Sequence, residues 1–156
     1  MILPMPEITV IADTSCLIAL TNINALDLLK NLYTEVIVSE EIALEYGEPL
    51  PSWIKVETVK NLKYLQLLEN LLDRGEASAI AIALDLEHVL LILDDLKARK
   101  IAEKLGFKIT GTLGILIKAR KSGLINQVRP YLEKLQTAGF RISTAIEDEL
   151  LKLCDE

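Results

Sequence analysis

The stretch Val89-Leu90-Leu91-Ile92-Leu93 is five aliphatic residues in a row, and it stops on Asp94-Asp95. A run that short, with no polar residue on either side of the pleat, reads as a strand buried on both faces. Parallel sheets covered by helices provide that environment. Ile8-Thr9-Val10-Ile11-Ala12 has nearly the same character and ends on Asp13. Around these two runs the sequence alternates strand and helix signals. A helix is expected from Ser15 and another from about Ala25 to Leu32. Val36-Ile37-Val38 stops at Ser39, a good N-cap for a helix over Glu40 to Tyr46. Gly47, Pro49 and Pro51 make a loop, and Ile54 to Val59 alternates as a half-exposed edge strand does. Helices are expected over Leu62 to Leu72, Gly75 to Glu87 and Leu96 to Leu105. A short strand over Phe107 to Ile109 leads to the turn Thr110-Gly111-Thr112, with helices beyond. Strands alternating with helices imply right-handed crossovers. The predicted fold class is therefore α/β, a three-layer fold in which a parallel sheet of about five strands carries helices on both faces.

A chain of 156 residues suits one domain spanning 1–156. Hydrophobic residues make up 51% and aromatics only 4%, so the apolar excess is aliphatic, as helices on a buried sheet require. Mean hydropathy is +0.32, yet no apolar run approaches the roughly 18 residues of a membrane span. The opening MILPMPEITV lacks a basic segment and already looks like a strand, so no signal peptide is expected. Cys16 and Cys154 match no metal or disulfide spacing and read as small buried hydrophobes of a reducing cytoplasm. A net charge of −6 would ordinarily count against a nucleic-acid partner. Several of the acids fall at strand ends, however, where bound cations could neutralise them.

In doubly wound sheets the ligand site lies beyond the carboxyl ends of the strands. Asp13 and the Asp94-Asp95 pair both sit there by sequence pattern. Asp13 could equally be a helix N-cap, although Ser15 could fill that position. Either member of the pair could cap the helix beginning near Leu96, which leaves the other to be explained. On a helical wheel Ser78 and Asp85 define a polar side of the helix Gly75 to Glu87, and Glu76 lies about 160° from Ser78. A carboxylate on the apolar side is costly unless paired, capped or bound to a cation. Asp73-Arg74-Gly75-Glu76 also fits a capping box, with Asp73 as N-cap and Glu76 folding back. Glu40, Glu41 and Glu45 share one helix, and the pattern does not choose among them.

Carboxylates gathered from separate segments suit hard cations such as Mg²⁺ or Mn²⁺. Two such ions roughly 4 Å apart can activate water and stabilise the leaving oxygen of a phosphodiester. That chemistry needs no histidine. The chain has one, His88, just before a strand, and it reads as structural or exposed. No Ser-His-Asp or Cys-His arrangement can be built around it. The absence of a P-loop and of a GxGxxG after a strand removes nucleotide-binding readings. A phosphatase would want Asp-x-Asp after the first strand, and Asp13-Thr14-Ser15 breaks that. A receiver domain would want its acidic pair early, and here the pair is late.

With Ile8 to Ser15, Gly75-Glu76-Ala77-Ser78-Ala79-Ile80-Ala81 and Leu93-Asp94-Asp95-Leu96-Lys97-Ala98-Arg99 in that order, the chain resembles the PIN-domain family. That family includes the toxin nucleases of prokaryotic toxin–antitoxin pairs. Thr110-Gly111-Thr112-Leu113-Gly114-Ile115-Leu116 looks like one uncharacterised prokaryotic subfamily of it. The resemblance covers nearly the whole chain. It implies a five-stranded parallel sheet, Mg²⁺- or Mn²⁺-dependent cleavage of RNA, and a small antitoxin protein as partner. By resemblance the first acid falls on Asp13 and the second on Glu45, through Ile42-Ala43-Leu44-Glu45. The third falls on Glu76, where many members carry Asp. The last falls in Asp94-Asp95, with Asp95 matching a Thr-x-Asp pattern in which Leu93 replaces Thr.

Around this cluster Thr14, Ser15 and Thr112 could offer hydroxyls to water or phosphate, with capping also open to Ser15. Lys97, Arg99 and Lys100 lie close enough in sequence to meet phosphates, or else form a solvated helix face. Arg120 and Lys121 carry the same two readings. The aliphatic surplus suggests a homodimer, with Ile23, Leu26 and Leu29 and also Leu62, Leu65 and Leu68 as the expected exposed apolar faces. The competing functional reading is a PIN-like binding or scaffold module without turnover.

Overall fold

The aliphatic runs form the centre of the molecule. In the computed structural model, which describes residues 7–156, the side chains of Val10, Ile11, Ala12, Leu91 and Ile92 have no solvent-exposed area. Residues 1–6 of the opening stretch lie outside the described residues. Among the described residues there are five strands: β1 (Thr9–Ala12), β2 (Glu35–Ser39), β3 (Ile54–Glu57), β4 (Val89–Ile92) and β5 (Lys108–Thr110). They pair in the order β3-β2-β1-β4-β5, and every pairing is parallel. Parallel neighbours require crossovers, and the helices supply them: α1 (Thr14–Asn22), α2 (Asp27–Leu32), α3 (Glu40–Tyr46), α4 (Leu62–Glu69), α5 (Arg74–Leu84) and α6 (Leu96–Lys104). Three more, α7 (Thr112–Lys121), α8 (Arg129–Thr137) and α9 (Thr144–Leu153), complete the chain. This is the expected three-layer α/β arrangement of five parallel strands with helices around them.

The chain winds from β1 outward to β3 on one side and from β4 to β5 on the other. The order therefore reverses between β1 and β4, the point where such sheets leave a crevice at their carboxyl ends. Register places Ala12 opposite Ile92, so the residues that follow these two strands emerge together. Local sequence explains the helix starts. Ser39 caps α3 through Ile42 N, Asp73 caps α5 through Glu76 N, and Asp95 caps α6 through Ala98 N. Gly47, at a φ of 71°, ends α3 in the left-handed region that favours glycine.

Three expectations are corrected. Ser78 does not mark a solvent-facing side of α5. It is fully buried, and its hydroxyl bonds the Gly75 carbonyl and the Ser39 hydroxyl at 2.6 Å each. The helix is central, with Gly75 and every residue from Ala77 to Ala83 buried. Ser15 does not cap α1, because Asp13 does. The apolar faces expected to be bare are mostly covered within one chain: Ile23, Leu29, Leu65 and Leu68 are buried and Leu26 partly so. Leu62 is exposed as expected, and the other exposed apolar side chains of this region are Leu44 on α3 and Leu67 and Leu71 in and just after α4. Cys16 and Cys154 are buried and free, as their spacing implied.

Candidate active site

Asp13 directly follows β1, and its backbone N–H continues the sheet by donating to Ile92 O at 3.1 Å. Its side chain is thereby held at the mouth of the β1–β4 crevice, only 4% exposed. One carboxylate oxygen accepts from Cys16 N at 2.8 Å, capping α1. The other accepts from the backbone N–H of Asp94 at 3.1 Å, across 81 positions of sequence. The capping and the site readings of Asp13 thus use different oxygens of the same group.

Asp94 is turned the same way. The strand end Leu93 donates to Thr110 O, which brings the β5–α7 turn beside it. Thr112 then clamps the Asp94 carboxylate with its backbone N–H at 2.8 Å and its hydroxyl at 2.6 Å. A methyl group on Gly111 would come within 2.7 Å of Asp94 Oδ1 and 3.0 Å of Arg99 Nη1, so that glycine keeps the space between them. Arg99 spends one donor on Leu93 O at 2.8 Å. Asp95, next in sequence, is exposed and caps α6.

A second group of acids comes from α3 and the start of α5. The Glu45 carboxylate is seated over Gly75: a Cβ there would overlap its Oε1 and stand 3.0 Å from its Cδ. Thr14 faces the same carboxylate and Asp73 lies near it. Glu76 is half-buried at the start of α5, with the charges of Asp73 and Asp95 beside it. The Asp73 amide faces Glu76 as a capping box requires, so this alternative to a site role also describes real contacts.

The electrostatics follow from this crowding. Burial, then the charge of Asp94, lift the Asp13 carboxyl from 3.8 to about 7, against the pull of its two amide donors. Burial, then Asp73 and Asp95, lift Glu76 to about 7. Burial and Asp73 raise Glu45, and the Thr14 hydroxyl partly offsets them. Among the described residues the ion pairs are Lys55–Glu35, Arg74–Glu69 and Arg120–Glu156, and none of them involves the acids of this cleft. Concentrated carboxylates that make no ion pair, Arg99 standing beside Asp94 but bonded to Leu93 O, are a donor set that a hard divalent cation neutralises. Among the described residues, though, no three acid, imidazole or thiol groups already converge as an ion cage. The acids form two neighbouring groups, Asp13 with Asp94, and Glu45, Asp73 and Glu76 with Asp95 beside them.

Of the residues singled out from sequence, the structure brings Asp13, Asp94 and Thr112 into direct contact and sets Thr14 against Glu45. Ser15, Lys97 and Lys100 are exposed near the rim, Lys121 is exposed, and Arg120 is engaged with Glu156. His88 is exposed at the amino end of β4. Asp73 was read as a cap only. Its charge acts on Asp13, Glu45 and Glu76 together, and its place immediately before the Gly75-Glu76 pair was the available signal.

No curated protein matches the chain. The family model described as DUF3368: PIN domain matches residues 9–156. PIN domains are in general nucleases that use divalent metal ions, and the strand-end acids described above lie within the matched residues. The chain belongs to the PIN-domain family.

Proposed function

We propose that this protein is a Mg²⁺- or Mn²⁺-dependent endoribonuclease that hydrolyses phosphodiester bonds at the β1–β4 crevice. The observation that carries the reading is the Asp13–Asp94 contact. Two carboxylates from adjacent strand ends are held together by backbone amides and the Thr112 hydroxyl, with no cationic side chain in an ion pair to either. Each oxygen of Asp13 and Asp94 uses one acceptor direction for these bonds, and a carboxylate oxygen has a second. Asp13, Asp94, Glu76 and Asp95 would hold the cation. Such a cation supplies positive charge at the scissile phosphate and an acidified water.

The chain's own groups then have distinct tasks. Glu76, whose carboxyl is raised in the metal-free protein by burial and then by Asp73 and Asp95, is placed to take up a proton at its carboxylate. Glu45 is seated beside Thr14, where the two can orient a water. Thr112 fixes the Asp94 carboxylate plane. Ser15, Lys97 and Arg99 lie around the rim, where phosphate oxygens of a bound strand would pass.

A toxin role fits the surface beside the site. A groove of about 630 Å³ is lined by Glu40, Glu41, Leu44, Glu45, Asp73 and Arg74. Leu44 there is 81% exposed. An acidic groove with a bare leucine suits a basic, partly apolar segment of a small antitoxin protein. The exposed Leu67 and Leu71 are the apolar surface on which a homodimer would form. The two buried free thiols fit a cytoplasmic location. A binding module without turnover is the second reading, favoured by the hydrogen bond that every carboxylate oxygen of Asp13 and Asp94 already accepts.

Cleavage of a mixed-sequence single-stranded RNA, with and without Mn²⁺, separates the two. Metal-dependent cuts that disappear in Asp13→Asn support the nuclease. Cutting that survives that substitution refutes the assigned site. A wild-type protein that neither binds Mn²⁺ nor cuts across a broad RNA panel leaves the binding module.

A further inference from the structure

The charge on this acidic protein is segregated. From Leu96 to Thr110 the sequence carries Lys97, Arg99, Lys100, Lys104 and Lys108 against the single acid Glu103. On the other flank of the crevice the lining of the groove by α3 is mostly acidic. At 100° per residue, Lys97, Lys100 and Lys104 fall within an arc of about 60° on α6. All three are exposed, while Ala98 and Ala102 face the core. No lysine of this stripe makes an ion pair among the described residues, not even with Glu103 one turn from Lys100. An ordinary solvated helix face mixes signs; this one collects a single sign and leaves it unpaired.

Its position matters as much as its charge. The helix α6 starts at Asp95, next to Asp94, and runs back from the carboxyl edge of the sheet towards β5. Lys97 therefore stands nearest the crevice and Lys104 farthest from it, about 10 Å along the axis. Lys108 continues the series on the exposed start of β5, an edge strand. Leu96, 65% exposed in the first turn, adds an apolar ledge beside the first lysine.

We propose that the outer face of α6 is a track for the backbone of single-stranded RNA, along which the strand leaves the crevice on the β5 side and not over α3. The inference rests on the nuclease reading above and adds a path to it. One narrow row of ammonium groups matches one row of phosphates, whereas a duplex presents two. At about 3.4 Å per phosphate in a stacked strand the row meets about three of them. The acids Glu40, Glu41, Glu45 and Asp73 repel the same backbone from the opposite flank.

The test compares Lys100→Glu/Lys104→Glu with a control, Lys63→Glu/Lys152→Glu, that changes the net charge equally on α4 and α9. Binding of a fluorescent single-stranded 20-mer RNA is titrated in EDTA over a salt series, and steady-state cleavage is measured with Mn²⁺. The track variant is expected to bind at least about tenfold more weakly, with the log–log salt slope reduced by about 0.7 per lost contact. Its KM rises with kcat nearly unchanged, and the control stays close to wild type. Lys100→Gln/Lys104→Gln should show the same direction at smaller size, which guards against a folding defect in the charge reversal. Equal loss in track and control variants, or tighter binding of a duplex than of the single strand, overturns the track. If wild type binds and cuts RNA while the track variant matches it, the track alone falls. If wild type does neither, the nuclease reading falls with it.

Discussion

Two carboxylates in this fold sit in nearly identical backbone cradles. Asp13 accepts from Cys16 N and Asp94 N at 2.8 and 3.1 Å. Glu156 accepts from Val128 N and Arg129 N at 2.7 and 3.2 Å, pinning the start of α8 to the end of α9. Both are almost closed off from solvent, Asp13 at 4% and the Glu156 side chain at 9%. They differ in countercharge. Arg120 Nε stands 3.9 Å from Glu156, and that buried nitrogen has no hydrogen-bond partner of its own. Asp13 faces Asp94 and Asp73 instead, and its carboxyl is raised to about 7. Neither burial nor capping separates the carboxylate proposed as functional from the structural one. What separates them is that the chain sets a cationic side chain against Glu156 and further carboxylates against Asp13.

The largest expected effect breaks the comparison at its functional end. Asp13→Asn should lower Mn²⁺-dependent RNA cleavage by at least about 10²-fold, the scale for losing one pre-organised electrostatic contact. Glu156→Gln should leave the rate per folded molecule within a factor of about two, since its charge is already answered inside the chain. Equal losses in both variants would mean that countercharge does not distinguish them.

The same contrast has a sign in pH. Folded Asp13 titrates near 7 and unfolded near 3.8, so between these values the folded state holds a proton that the unfolded state has released. The stability of the metal-free protein should therefore fall as pH rises from about 4 to 7, by a few kcal/mol at most at about 1.4 kcal/mol per unit. Glu76, raised to about 7, adds to the same slope. Urea unfolding at pH 5 and pH 8 measures the slope, saturating Mn²⁺ should flatten it, and Asp13→Asn should reduce it. A metal-free protein equally stable at both values would show that the site carboxylates are not raised by burial and like charge.

At the structural end, Glu156→Ala removes the oxygens that accept from Val128 N and Arg129 N and leaves the buried Nε of Arg120 without its countercharge. A cost of about 1–3 kcal/mol is expected, read as a lower urea midpoint with unchanged slope. A smaller loss would mean that α9 holds α8 by packing alone.

The sequence exposed some of these contrasts and concealed others for physical reasons. Val89 to Leu93 and Val10 to Ala12 declared a buried parallel sheet because two-sided burial leaves no polar residue to misread. Ser39 and Asp73 announced their helices because caps act within three residues. The inward member of Asp94-Asp95 was not legible, and Asp95 had been matched to the family pattern. The choice is made by Thr112, eighteen positions on, once β5 brings the start of α7 alongside. Ser78 was misread for the same reason, since its partner Ser39 lies thirty-nine positions away. Asp73 showed its cap and not its charge on Glu45, which depends on how α3 packs on α5.

That packing yields the smallest expected effect and the sharpest sign. Gly75 lies in the first turn of α5, buried, without a positive φ that would require glycine. Helix propensity alone favours alanine there by up to about 1 kcal/mol. The Glu45 carboxylate fills the space a Cβ would take. Gly75→Ala should therefore destabilise the wild-type background, by roughly 1 kcal/mol or more as the carboxylate is displaced. In a Glu45→Ala background the same substitution should be neutral or stabilising, because the obstacle is gone and the propensity gain remains. Urea midpoints of the four proteins give the cycle. If Gly75→Ala costs the same with and without Glu45, the glycine is not there to seat that carboxylate, and Glu45 owes its position to α3 alone.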